Sequence, residues 1–355
     1  MFKMMKRISL LIILILFSII KVNANRAMYV NDFFEILGDE SKEHTLLSYA
    51  QDNEIETLLL YELHLVNNQY DITNVATNGI LADFISKAKT CYGILYVGAT
   101  SENGDSFTNI IDVYNNSRSN ANEKFDIYNL EFEFWVDHSV EPGGVYCESY
   151  LTENGLECNN DGAFEFFMTT LQTMNDLADN NSHPIKVEAY IGWPTTAQMT
   201  TISTNVDRLR VHAYINDPNA SFSYTDDRLI DLANGNPELD VSIIYSSEPD
   251  FMQDWLLDNS MSEAEEIFME QWTDESVNWE NNVNIEGFTY FAYTFNEGIT
   301  LGDNSLNTNE LFLNNAFIYP NPVKDILKID KLEDLVNIKV YNNICLLYTS
   351  DAADD

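Results

Sequence analysis

The segment Asn129-Leu130-Glu131-Phe132-Glu133-Phe134-Trp135 alternates polar and apolar residues with the period of an extended strand. Residues i, i+2 and i+4 of a strand share a face. Asn129, Glu131, Glu133 and Trp135 therefore point one way, and Leu130, Phe132 and Phe134 the other. With the apolar set packed under helices, the two acids face an interior, where an ionised, unpaired carboxylate costs several kcal/mol. Sharing a proton or opening onto a polar pocket relieves that cost, and both raise the pKa of one carboxyl. That is the condition for a general acid beside an assisting carboxylate. The structural alternative is that Arg208 or Arg210 neutralises the pair.

Other polar and aromatic residues stand near the ends of apolar runs: Glu62, then Glu188, Tyr190 and Trp193, then Tyr214, Tyr245 and Tyr293. Trp135, Tyr190, Trp193, Tyr214 and Tyr293 fit a sugar-stacking cleft better than a dry core, because amphipathic rings at strand ends can meet a ligand. Five His without HxH or HExxH spacing argue against a metal site, and no GxSxG elbow supports a serine triad. No cofactor is expected: neither GxGxxG nor GxxxxGK[ST] follows any apolar run.

Eight β-like runs position these groups: Ala27–Val30, Thr57–Leu63, Tyr92–Ala99, Ile127–Phe134, Ile185–Ile191, Leu209–Ile215, Val241–Ser246 and Phe288–Phe295. Amphipathic stretches separate them, best seen in Phe164, Phe167, Met168, Leu171, Met174 and Leu177. Asp226-Asp227 reads as another helix start, and Ser262 with Glu265 as a capping box. Strict alternation of strand and helix over 25–303 predicts an α/β fold, a closed (β/α)8 TIM barrel, with an open doubly wound sheet as the alternative. A barrel carries its reactive groups at the C-terminal ends of its strands. The long stretch Val136–Asp161 after the fourth strand holds Pro142-Gly143-Gly144, and Cys147 and Cys158 are expected to close a ring there in an oxidising compartment, with isolated thiols as the alternative. Cys91 reads as a buried small residue at the start of a strand.

Asp126-Ile127-Tyr128-Asn129-Leu130-Glu131-Phe132-Glu133 resembles the DxxDxDxE strand of family 18 glycoside hydrolases, the chitinase and endo-N-acetylglucosaminidase group. The resemblance implies that Glu133 protonates the glycosidic oxygen while the 2-acetamido group of the substrate attacks the anomeric carbon. It makes Glu131 the assisting carboxylate, Asn129 and Asp126 its support, and Tyr214 a partner of the acetamido carbonyl. Asn129 and Glu131 stand where the family has Asp, and Tyr96-Val97-Gly98-Ala99-Thr100-Ser101 keeps one glycine of its SxGG. The alternative function is a non-catalytic glycan-binding or cell-surface barrel.

The ends of the chain speak to location. Met1 to Ala24 joins a basic front (Lys3, Lys6, Arg7), an apolar core from Ile8 to Ile20 and a small-residue exit at Val22-Asn23-Ala24, a secretory signal. That core spans about 20 Å as a helix, short of the ~30 Å hydrocarbon layer, so cleavage rather than a membrane span is expected. Residues 304–316 read as an Asn-rich linker. The string from Tyr319 to Ile329, YPNPVKDILKI, closely resembles the start of a type IX secretion sorting domain of Bacteroidota exports, over 317–344. It implies the type IX machinery as a partner and release or attachment at the cell surface. Residues 345–355 look like a translated sequencing adapter, which leaves that domain truncated. The net charge of −39 over 355 residues repels phosphate backbones and anionic lipid, so nucleic acid and peripheral membrane docking are excluded as partners. With 45% hydrophobic residues the chain still builds a large core. An extracellular glycan is the expected ligand.

Overall fold

The computed structural model describes residues 25–235, 239–275, 279 and 282–296, with four short strand pieces at 317–319, 328–330, 340–341 and 347–348. The expected leader at 1–24 and linker at 304–316 lie outside the described residues. So do the segments read as sorting domain and adapter, apart from those pieces. Phe317–Tyr319 pairs antiparallel with Lys328–Asp330, and Val340–Tyr341 with Leu347–Tyr348.

Eight parallel strands close into a ring in chain order: β1 Asn25–Val30, β2 Ile55–Leu60, β3 Tyr96–Ser101, β4 Ile127–Leu130, β5 Lys186–Ile191, β6 Arg208–His212, β7 Leu239–Ser246 and β8 Val283–Phe291. β8 returns to β1 from Asn25 opposite Gly287 to Met28 opposite Tyr290. Helices α1 Glu40–Asp52, α2 Gly79–Cys91, α3 Asn160–Asn180, α4 Thr196–Ser203, α5 Ser221–Gly235 and α6 Met261–Glu275 surround the strands. This is the closed (β/α)8 barrel, and closure excludes the open sheet. Among the described residues, no helix is long and apolar enough to cross a membrane.

Several boundaries differ from the sequence reading, each for a local reason. The run from Tyr92 joins no strand until Tyr96, because α2 carries its hydrogen bonds to Cys91 and Gly93 turns the chain at φ 77°. Cys91 thus closes a helix and is half-buried. β2 stops at Leu60, Glu62 adopts a left-handed φ of 58°, and Leu63 already begins a helix. α5 starts at Ser221, ahead of Asp226-Asp227. The capping box of α6 slips by two residues. Ser260 N donates to Glu263 Oε2 at 2.7 Å and Glu263 N to Ser260 Oγ at 3.3 Å. Ser262 and Glu265 instead hold Arg26 of β1.

α3 shows why periodicity worked. Asn159 caps it by accepting from Gly162 N, and Phe167, Leu171 and Met174 are fully buried against the barrel. Beyond β4 the alternation continues after regular pairing ends. Glu131 N donates to Ser101 O at 3.1 Å, while Leu130, Phe132 and Phe134 are sealed in the layer under the helices. Burying each of those side chains contributes about 1.5–3 kcal/mol, which decides which face of the segment turns inward. Gly98 of β3 serves the lumen: a Cβ there would meet Leu59 Cδ2 at 2.6 Å and Ile127 Cβ at 3.2 Å.

Candidate active site

The lumen has a charged floor and an acidic mouth. On the floor, Glu188 of β5 is fully buried between two arginines of β6, which the register sets alongside it. Arg208 Nε donates to Glu188 Oε1 at 2.7 Å and Arg210 Nε to Oε2 at 2.8 Å. Arg208 also reaches Glu286 at 2.7 Å, and Arg210 reaches Thr289. Burial by itself would raise the pKa of Glu188, but Arg210 and Arg208 outweigh it and hold the carboxyl below its usual range. Glu188 is therefore a structural acid and not a substrate contact. Above the floor, Tyr29, Leu59, Ile127, Tyr190 and Ile244 fill the ring.

Asn129, Glu131 and Glu133 rise through that filling toward the mouth. Asn129 is fully buried, its Oδ1 accepting from Tyr29 Oη at 2.9 Å and from Thr100 Oγ1 at 3.4 Å. Glu131 keeps its Oε2 sealed and without a hydrogen-bond partner. Burial first, then the charges of Glu133, Glu102 and Glu248, push its pKa well above the carboxylate range, and no cation among the described residues acts against them. Glu133 is raised too, by burial above all. The hydroxyl of Tyr190, donating to Oε1 at 3.2 Å, and the charge of His138 pull the other way, and Glu102 and Glu248 push it up further. Neither acid meets Arg208 or Arg210. A carboxyl whose pKa is raised keeps its proton to higher pH and serves better as a general acid, and burial and neighbouring acids raise both members of this pair.

Aromatic rings flank the pair. Trp135 lies 5.5 Å from Tyr190, in space that Gly192 leaves open: a Cβ there would fall 2.5 Å from the indole nitrogen. Tyr214 packs against His212 at 4.2 Å and Phe251 at 5.1 Å. At the rim Trp193 is 52% exposed, with the Arg228 guanidinium 4.3 Å above its ring. Burial, and secondarily Arg228, depress the pKa of His212 to about 3, so this ring is neutral.

Glu102 and Glu248, neither of which the sequence reading chose as a site residue, complete the mouth. Each lies two residues past an inward-facing residue at a strand end, Thr100 of β3 and Ser246 of β7, and that parity is a readable signal. Glu248 accepts from Ser246 Oγ at 2.8 Å. Glu102 accepts from Tyr150 Oη at 2.7 Å and Tyr146 Oη at 3.4 Å, both from the long loop after β4. That loop is fastened by a Cys147–Cys158 disulfide, with Cα atoms 5.1 Å apart, and by Tyr146 stacked on Phe132 at 4.3 Å. Glu62 sits on the rim beside Asp32, whose backbone N–H donates to it at 3.1 Å.

Three further expected contacts lie elsewhere. Asp126 precedes β4 and so occupies the opposite end of the barrel, bound by Lys89 at 2.7 Å, His183 at 2.9 Å and Val97 N at 2.8 Å. Tyr245 has the outward parity of β7 and packs between the barrel and α5 and α6, bonding Ser221 and Ala264. Tyr293 starts a short helix after β8 and turns against Tyr49 of α1 at 5.8 Å. Among the described residues, no three His, Cys, Asp or Glu side chains converge to hold a metal ion.

No family model matches the chain, and no curated protein does. Solved structures similar to it include glycoside hydrolases. The GH39 enzyme from Xanthomonas axonopodis pv. citri is 11% identical, with 76% of this chain and 58% of that one covered at a TM-score of 0.47. A monomeric beta-xylosidase from Caulobacter crescentus CB15 gives 11%, 76%, 60% and 0.47. A glycoside hydrolase family 18 N-acetylglucosaminidase from Paenibacillus barengoltzii gives 8%, 77%, 96% and 0.32. The chain spans about three fifths of the length of the first two.

Proposed function

We propose that this chain is an exported glycoside hydrolase acting on N-acetylhexosamine-containing glycans, with Glu133 as the proton donor to the glycosidic oxygen. The observation that carries the reading is the inward pair Glu131 and Glu133 at the barrel mouth, raised in pKa by burial and, among the described residues, opposed by no arginine or lysine. Glu133 gives its proton to the leaving oxygen, and the substrate's acetamido carbonyl attacks the anomeric carbon as that bond breaks. Glu131 and Tyr214 orient the acetamido group, and water then opens the intermediate. Trp135, Tyr190 and the exposed Trp193 supply faces for sugar rings. The leader and the sorting-domain resemblance support a place outside the cell, where such glycans are met.

The test compares wild type with Glu133→Gln on chitin oligomers and N-glycans. Turnover by wild type alone supports the reading. Equal rates sink it, and tight binding without turnover in either protein identifies a non-catalytic glycan-binding barrel instead.

One observation favours a second mechanism. Glu248, at the end of β7, acts electrostatically on both Glu131 and Glu133, and two carboxylates flanking a glycosidic bond suffice for hydrolysis without the acetamido group. Loss of cleavage in Glu248→Gln on substrates lacking an acetamido group would select that route.

A further inference from the structure

The proposed proton donor stands past the end of its strand. β4 stops at Leu130, Glu131 N still reaches Ser101 O of β3, and Glu133 comes two residues further on. There the chain is met by the loop that follows. The backbone N–H of Glu133 donates to the hydroxyl of Tyr146, and that hydroxyl donates in turn to Glu102 Oε1 at 3.4 Å. The Tyr146 ring stacks on Phe132, which lies between the two acids in sequence. Phe132 and Phe134 pack in turn on Phe166 and Phe167 of α3. Burial above all, then the charges of Glu102, Glu133 and Glu131, raise the pKa of Tyr146, so it stays a neutral hydroxyl that accepts and donates at once. Two features bring it there. Gly144 lets the loop fold back on itself, since a Cβ at that position would fall 2.4 Å from His138 O and Ser139 O. The Cys147–Cys158 bridge then closes the loop from the residue next to Tyr146. A second tyrosine of the same loop, Tyr150, bonds Glu102 at 2.7 Å and Asn103.

We propose that Tyr146 is a positioning residue for the proton donor: its hydroxyl ties the Glu133 backbone to Glu102, and the adjoining disulfide holds Tyr146 in place to do so. The inference rests on the glycan-active reading above and extends it from the acid to the loop that aims the acid. A carboxyl carried beyond the regular ladder is easily displaced, and a misplacement of about 1 Å costs on the order of 10²-fold in rate.

The experiment measures kcat and KM of the full chain on chitin oligomers and N-glycans, with melting temperatures, for wild type, Tyr146→Phe, Cys147→Ser with Cys158→Ser, and the triple variant. Tyr146→Phe keeps the ring on Phe132 and removes one hydroxyl. It is expected to lower kcat about tenfold, with KM and melting temperature nearly unchanged. Opening the bridge should lower kcat by a similar factor, and combining the two should lose little more, because both act through one contact. Tyr150→Phe, whose hydroxyl bonds Glu102 and Asn103 rather than the acid, should lose less than Tyr146→Phe. Wild-type kcat in Tyr146→Phe overturns the proposal, as do equal losses in the two Phe variants. Losses from hydroxyl and bridge that multiply as independent effects overturn the part assigned to the disulfide. If the double serine variant does not fold, Tyr146→Phe against Tyr150→Phe still decides. Cleavage that needs Glu133 but is untouched in Tyr146→Phe removes this inference and leaves the proposed function standing. Absence of cleavage of all these glycans by wild type removes both.

Discussion

Glu188 on the floor of the lumen and Glu131 at its mouth are the same residue type, on neighbouring strands, in the same ring. Their surroundings have made them opposites. Two arginines grip Glu188 and hold its carboxyl below the usual range, whereas Glu131 meets only other acids and is driven up. Both carboxyls are shielded from water, so burial alone does not distinguish a carboxyl held ionised from one pushed toward its protonated form. The partner does: a cation turns a buried carboxylate into scaffold, and its absence keeps a proton available.

The largest effect should come from breaking the floor. Glu188→Gln leaves Arg208 and Arg210 facing each other in a sealed interior and should cost about 3–5 kcal/mol in urea unfolding. A cost below about 1 kcal/mol would mean that Glu286 and Thr289 support the arginines by themselves. At the mouth the same change should act on rate. Glu133→Gln should lower kcat about 10²–10⁴-fold on a cleaved glycan with the melting temperature unchanged or raised. The wall of the mouth is covalent where the floor is ionic. Removing the 147–158 bridge by Cys147→Ser with Cys158→Ser should cost about 2–3 kcal/mol by calorimetry, as expected for a loop this short.

The smallest effect sharpens the contrast through pH. Glu131 holds its proton in the folded state above the pH at which the unfolded chain releases it. Its contribution is full below about pH 4.3 and is lost as pH rises toward its raised folded value. Glu188 has the opposite sign: its contribution is present above about pH 4.3 and lost as pH falls through its depressed folded value. Glu131→Gln should therefore flatten the decline in stability above about pH 4.3, by on the order of 1 kcal/mol per pH unit. Denaturation midpoints of wild type and variant over pH 4–8 that fall in parallel would remove Glu131 from that role.

The ring was legible because strand and helix periods alternate cleanly, and the inward set of β4 because Leu130, Phe132 and Phe134 leave its polar neighbours one direction to face. Strand polarity excludes Asp126, since seven residues of extended chain before Glu133 amount to about 23 Å. Parity along β7 likewise turns Tyr245 outward. Other facts were closed to a linear reading. That Arg208 and Arg210 would choose Glu188 over Glu131 depends on the β5–β6 register, which sets Glu188 opposite Arg208. Glu102 was hidden because its partners, Tyr146 and Tyr150, come from a loop more than forty residues away. Tyr293 was lost to a helix that begins where a strand was expected.

The plugged floor also governs traffic. With Glu188 and Arg210 wholly inaccessible at its base, the ring is a blind well and not a tunnel. Nothing can be threaded through it from end to end. Whatever enters the well must leave by the same opening.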